Sequence, residues 1–112
     1  DSGKTLLMLI ILNNANDDIL DLILVNIHKF ENNFINLTDN QGNTALMYAI
    51  ITAYNANLDE NDENYRKSIS TALRLIEMGA NKTGTNTIGQ NVEDLASRLP
   101  NSLEKLNLMI HI

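Results

Sequence analysis

Apolar residues recur along the chain at helical spacing, in six segments separated by polar residues. In one segment, Ala49 and Ile50 lie three and four residues after Leu46, so all three share one helical face. Pro100 separates the last two segments, because proline disfavours helical backbone in the residue before it. The pattern predicts helices near residues 5–14, 17–30, 44–56, 65–78, 91–98 and 101–110, with turn segments at 34–43 and 82–90.

The composition supports the helical prediction. Hydrophobic residues make up 44% of the chain but aromatic residues only 4%, so a core must consist mostly of Leu, Ile, Ala and Met. Leu, Ala and Met are good helix formers and do not favour a β-sandwich. The length of 112 residues suits one domain rather than two. We therefore predict one all-α domain.

Three segments of the chain are similar to one another: residues 3–8, 42–49 and 89–96. Each begins with glycine, and two residues later comes a residue that can cap a helix, namely Thr5, Thr44 or Asn91. Gly42 and Gly89 are expected to lie in turns at positive φ. Gly79 follows a helical segment and is expected to end it as a C-cap.

The middle segment resembles the ankyrin-repeat signature T-P-L-H-x-A preceded by Gly-x. It has the family's residue at four positions: Gly42, Thr44, Leu46 and Ala49. Ala45 and Met47 replace the family's Pro and His, and Asp39 fits its D-x-x-G turn. Residues 75–81 look like the family's L-L-x-x-G-A-D block. The interval from Gly79 to Gly89 is the one that the ankyrin pattern expects.

The resemblance implies a short ankyrin-type solenoid of about three helix-turn-helix repeats, near residues 1–38, 39–85 and 86–112, with β-hairpin finger loops at the turns. The glycine spacings of 39 and 47 residues exceed the family's repeat of about 33 residues. We expect the extra residues in loops around 24–33 and 57–66. The first helix is more apolar than one interior face requires, which predicts that another repeat or flanking helix of a longer protein covers it. The mixed residues of 97–109 predict a terminal cap with one polar face.

The charge and the candidate chemical motifs point away from other functions. The net charge is −6, and eight scattered Lys and Arg residues do not make a basic face for nucleic acid or an anionic membrane. No cysteine is available as a nucleophile or thiolate ligand. Residues 2–5 resemble the end of a phosphate-binding loop but lack its upstream glycine, and the acidic run 59–64 lacks the glycine and glutamate of a calcium loop. We predict no catalytic residue, cofactor, metal or small-molecule substrate.

The resemblance implies a non-catalytic module that binds another protein inside the cell. An open alternative is a structural or regulatory segment of a larger enzyme. In ankyrin repeats, partner contacts come from the turns and the inner face of the first helix, whose side chains we expect to be exposed. The corresponding positions are Thr38, Asn40, Gln41 and Asn43 in the middle repeat, Thr52 on its first helix, and Thr85, Thr87, Ile88 and Gln90 in the next repeat. A rival surface is the acidic group Asp59, Glu60, Asp62 and Glu63, which would attract a basic partner.

Overall fold

The structure, a computed structural model, describes residues 3–14, 17–29 and 33–112, and these residues form an all-helical fold. Six α-helices follow one another: α1 (Leu6–Leu12), α2 (Asp17–Val25), α3 (Ala45–Leu58), α4 (Asp62–Glu77), α5 (Val92–Ala96) and α6 (Leu103–His111). Two short 3₁₀ turns, Ile27–Lys29 and Phe34–Asn36, lie between α2 and α3. All six predicted helices are therefore confirmed, with ends that differ by a few residues. Residue 30 of the predicted second helix lies outside the described residues.

The predicted helix caps are confirmed. The side chains of Thr5, Thr44 and Asn91 each accept a hydrogen bond from the backbone N–H three residues later, at the start of α1, α3 and α5. Asn61 and Ser102 cap α4 and α6 in the same way. A capping oxygen satisfies a backbone donor that the first turn of a helix leaves without a partner. These polar residues therefore determine where each helix begins.

The buried apolar side chains form one core to which all six helices contribute. α3 packs against α1 on one side and α5 on the other, and α4 packs against both α3 and α6. An ion pair between Asp21 and Arg74 joins α2 to α4. The largest fully buried side chains come from five helices: Leu7, Met8, Leu46, Met47, Ile50, Leu75, Val92 and Leu108.

The 57–66 segment does not form the loop expected from the long repeat. α3 continues to Leu58 and α4 begins at Asp62, so the extra residues lengthen the two helices. The Asn61 cap and the acidic residues Asp62 and Glu63 in the first turn of α4 favour this extension. Of the other predicted insertion, 24–33, residues 30–32 lie outside the described residues.

Two helices end in the same hydrogen-bonded arrangement. After α4, Gly79 has φ of 95°, and the Gly79 and Ala80 N–H groups donate to Ile76 and Leu75 carbonyls at 3.0 Å. This confirms the predicted glycine C-cap. After α3, Glu60 occupies the equivalent position at φ of 56°, although a side chain at positive φ is strained.

Two further expectations are corrected. The described residues contain no β-strand, so the turns at 34–43 and 82–90 are not β-hairpins. Each turn is closed within a few residues by its own hydrogen bonds, which leaves no extended pair to form a ladder. The exposed face of the last helix, predicted to be polar, is not polar throughout. Leu103 is 82% exposed and Leu106 and Ile110 are exposed on the same side of α6, while Leu108 is buried.

Candidate protein-binding surface

The turns before α3 and α5 have the same backbone geometry. In the first, the Gly42 N–H donates to the Asp39 carbonyl and the Asp39 N–H to the Asn43 carbonyl, at 3.0 and 3.1 Å. In the second, the Gly89 and Asn86 N–H groups make the equivalent bonds at 3.0 and 2.9 Å. The two glycines have φ of 76° and 80°, as the sequence predicts.

The first side chain of each turn also has the same role. Asp39 Oδ1 accepts from the N–H groups two and four residues later, both at 3.0 Å. Asn86 Oδ1 accepts the two equivalent bonds at 3.2 and 2.9 Å. Asn86 was not predicted from the sequence to have this role, although its place three residues before Gly89 repeats that of Asp39 before Gly42. Each turn is thus held by four bonds within five residues, which makes it a stiff element.

The two turns lie directly against each other. The Thr87 N–H donates to the Gln41 carbonyl at 2.9 Å, and Asn86 Nδ2 donates to Asn43 Oδ1 at the same distance. A Cβ atom added to Gly42 would lie 3.0 Å from the Asn86 Cα. Only glycine allows the backbones of the two turns to approach so closely. The contact aligns the exposed tips of both turns along one side of the molecule.

A buried polar cluster connects the turn before α3 to α1 and to α3. The Asp39 carboxylate accepts a hydrogen bond from the Tyr48 hydroxyl and lies 3.6 Å from Lys4 Nζ. Lys4 Nζ also lies 5.4 Å from the centre of the Tyr48 ring. The Tyr48 hydroxyl in turn accepts from Asn43 Nδ2 at 3.4 Å. The cluster therefore joins the start of α1, the Asp39–Asn43 turn and the first helical turn of α3.

The cluster shifts the pKa values of its two acids in opposite directions. Burial alone would raise the pKa of Asp39, but hydrogen bonds from Tyr48 and the turn backbone, with the charge of Lys4, hold it below its ordinary value. Burial and the hydrogen bond to Asp39 raise the pKa of Tyr48. Asp39 is therefore ionised and Tyr48 is protonated near neutral pH.

The nine predicted contact residues divide by burial. Seven reach the surface: Thr38, Asn40, Gln41, Thr85, Thr87 and Ile88 are exposed and Gln90 is half-buried. The expectation of exposure is wrong for Asn43 and Thr52. Asn43 faces the neighbouring turn, where it bonds Asn86, and it also bonds Tyr48. Thr52 lies on the packed side of α3, and its Oγ1 has no hydrogen-bond partner within the described ranges.

A groove lies beside the turn tips, between α3, the second turn and α5. Its volume is about 270 Å³, and a smaller depression of about 180 Å³ continues from it over Gln41 and Thr87. The main lining residues are Ile51, Tyr54, Ile88, Gln90, Leu95 and Arg98. Ile88 and Gln90 belong to the predicted surface, whereas the other four were missed. The spacing of Ile51 and Tyr54 places them on one side of α3, but whether that side is covered depends on the packing of α5.

In the parts of the chain that the structure describes, no three His, Asp or Glu side chains are grouped to hold a metal ion. No helix there has the length and apolar character needed to cross a membrane. Comparisons with protein-family models, with curated proteins and with solved structures found no match for this chain.

Proposed function

We propose that this chain is a non-catalytic module that binds another protein inside the cell, through the tips of its stacked turns and the adjoining groove. We further propose that it is a short ankyrin-type solenoid, with repeats near 1–38, 39–85 and 86–112. The observation that carries the proposal is the pair of turns with identical hydrogen bonds, Asp39–Asn43 and Asn86–Gln90, packed one on the other. Repeated units that stack in this way present an extended surface along one side.

The stiffness of the turns supports binding at their tips. Gln41, Thr85 and Thr87 are exposed, and the backbone beneath the tips is held by bonds within and between the turns. Because the backbone is already ordered, a partner that contacts these side chains loses little conformational entropy from the loop itself. Polar tips beside an apolar groove also match the polar rim and apolar centre of many protein interfaces.

The rival acidic surface is a weaker candidate. Asp62 is paired with Arg66, whose Nε lies 3.2 Å from its carboxylate and 3.4 Å from that of Glu104. Asp62 and Glu63 also lie in the first turn of α4, where acidic side chains favour the helix dipole. These contacts give the acidic residues a role in the helix itself. The stacked turns therefore offer the better-defined surface.

Capture of partners from cell extract tests the proposal. In the test variant, Gln41, Thr85 and Thr87 are all replaced by Glu, since each side chain is exposed and the replacement leaves the turn backbone in place. The control variant carries Glu at Asn55, Ser70 and Asn107, which are exposed elsewhere. We expect the test variant to lose the captured protein and the control to keep it, with both melting near the parent temperature.

A third variant separates the two surfaces. Replacing Asp59, Asp62 and Glu63 by their amides removes acidic charge without shortening α3 or α4, unlike a deletion of 57–63. We expect this variant to retain the partner. Capture that survives in the turn variant but fails in the amide variant would overturn the proposal and assign binding to the acidic end of α4.

A further inference from the structure

The groove beside the second turn combines an apolar surface with the cation of Arg98, for which the described residues provide no ion pair. Ile88 projects from the turn tip with 75% of its surface exposed, although exposed turn tips are usually polar. Ile51 and Tyr54, which are half-buried, and the buried Leu95 also line the groove. An apolar side chain that entered this groove would remove the exposed parts of Ile51, Tyr54 and Ile88 from water.

Arg98 lies at the edge of the same groove and is exposed. The Gln90 side-chain amide lies against the guanidinium, 2.9 Å from its Nη2 atom. Arg98 forms no ion pair with a carboxylate of the described ranges, whereas Lys4, Arg66 and Arg74 each do. Its charge is therefore available in a chain whose net charge is −6.

We propose that the groove takes a segment of a partner protein in which a large apolar side chain stands beside an aspartate or glutamate. The apolar side chain lies among Ile51, Tyr54 and Ile88, and the carboxylate accepts hydrogen bonds from Arg98. The inference rests on the proposed function and specifies the chemistry of the partner. Charge complementarity supports it, since a planar guanidinium binds a carboxylate through two parallel hydrogen bonds.

Gln90 adds to the selectivity of this position. Because the Gln90 amide packs against the guanidinium, it restricts the rotamers of Arg98 at the groove, so fewer are lost when a carboxylate arrives. Gln90 is itself part of the turn whose backbone is bonded to Asn86. The cation is thus positioned by the same turn that presents Ile88.

Selection from a library of random, unphosphorylated peptides tests the proposal and requires no identified partner. The parent chain is compared with Arg98→Glu and with Lys29→Glu, which changes the net charge equally at an exposed residue of another element. We expect peptides selected by the parent and by Lys29→Glu to pair a large apolar residue with Asp or Glu. Arg98→Glu should instead select Lys or Arg at that position.

Affinity measurements on one selected peptide locate its binding site. Ile88→Asp should weaken binding by more than about tenfold, because it places a charge in the apolar groove. Leu103→Asp, at an equally exposed leucine on α6, should leave the affinity unchanged. Arg98→Gln should weaken binding of the acidic peptide by about tenfold and should hardly change the binding of a neutral analogue.

Three results would overturn the inference: no enriched sequence, enrichment without acidic residues, or an acidic preference that persists in Arg98→Glu. If capture from extract still depends on Gln41, Thr85 and Thr87, such a result rejects only the inferred preference of the groove for an acidic, apolar segment. The proposed function is then still supported. If the turn substitutions have no effect on capture while the peptides respond to Arg98, the groove binds peptides but the turn tips do not form the partner surface.

Discussion

At the scale of single residues, the turn side chains determine both the local structure and the bonds between the two turns. Asp39 could be recognised in the sequence as a turn residue, because its distance from Gly42 is typical of such turns. Its contacts with Tyr48 and Lys4 could not be predicted, since they form only after α3 packs beside the turn. Thr52 shows the reverse case. Its small polar side chain suggested exposure, but the packing of α3 buries it.

Asp39→Asn should destabilise the chain most strongly at neutral pH. The pKa of Asp39 is lower in the folded chain than in the unfolded one, so its contribution is present above about pH 4 and is lost as pH falls through the folded pKa. We expect a loss of about 1–3 kcal/mol in the free energy of unfolding at about pH 7, from losing a charged acceptor of several bonds. Urea unfolding of both chains at about pH 7 and about pH 2.5 checks this. A difference that does not shrink in acid would contradict an ionised Asp39 in the cluster.

Glu60→Gly should stabilise the chain. Glu60 has φ of 56° at the end of α3, where a Cβ atom is strained and glycine is not. Glycine relieves this strain but also gives the unfolded chain more conformational freedom. The net effect should raise the free energy of unfolding by about 0.5–1 kcal/mol. Glu60→Ala is the matched control, because it removes the charge but keeps the Cβ atom. If Ala stabilises as much as Gly in thermal unfolding, the charge rather than the backbone is the cause.

At the scale of elements, the helices were the most predictable feature. Helical spacing of apolar residues and capping residues such as Thr44 and Asn91 act locally, so the sequence reveals them directly. The secondary structure of residues 57–66 was harder to predict from the sequence. A repeat longer than usual can place its extra residues in a loop or in longer helices, and the choice depends on how α3 and α4 pack. The exposure of Leu103 on α6 depends likewise on which side of that helix meets α4.

Leu46→Ala tests the assignment of the α3 core face. Leu46 is fully buried between the helices, so its truncation should reduce the free energy of unfolding by about 2–5 kcal/mol. The same change at Leu103, which is 82% exposed, should have an effect near zero. Chemical denaturation of the two variants provides the comparison. Equal effects would mean that the face of α3 is assigned wrongly.

At the scale of the whole molecule, the turns before α3 and α5 pack against each other, and α3 contacts both α1 and α5. The spacing of glycines and caps in the sequence indicated that the two turns are alike. It could not show that Gly42 of one turn meets Asn86 of the next, because that contact depends on how far α3 and α5 are separated. It also could not reveal the groove, which exists only where α3, the second turn and α5 come together.

The stacking of the turns, on which the binding surface depends, is tested most directly by comparing Gly42→Ala with Gly89→Ala. Both glycines have positive φ, so both variants bear the same backbone strain. A Cβ atom at residue 42 would lie 3.0 and 3.1 Å from backbone atoms of the next turn, whereas a Cβ atom at residue 89 would meet nothing within 4 Å. We predict that Gly42→Ala lowers the free energy of unfolding by about 1–3 kcal/mol more than Gly89→Ala does. Equal losses in the two variants would contradict the stacked arrangement.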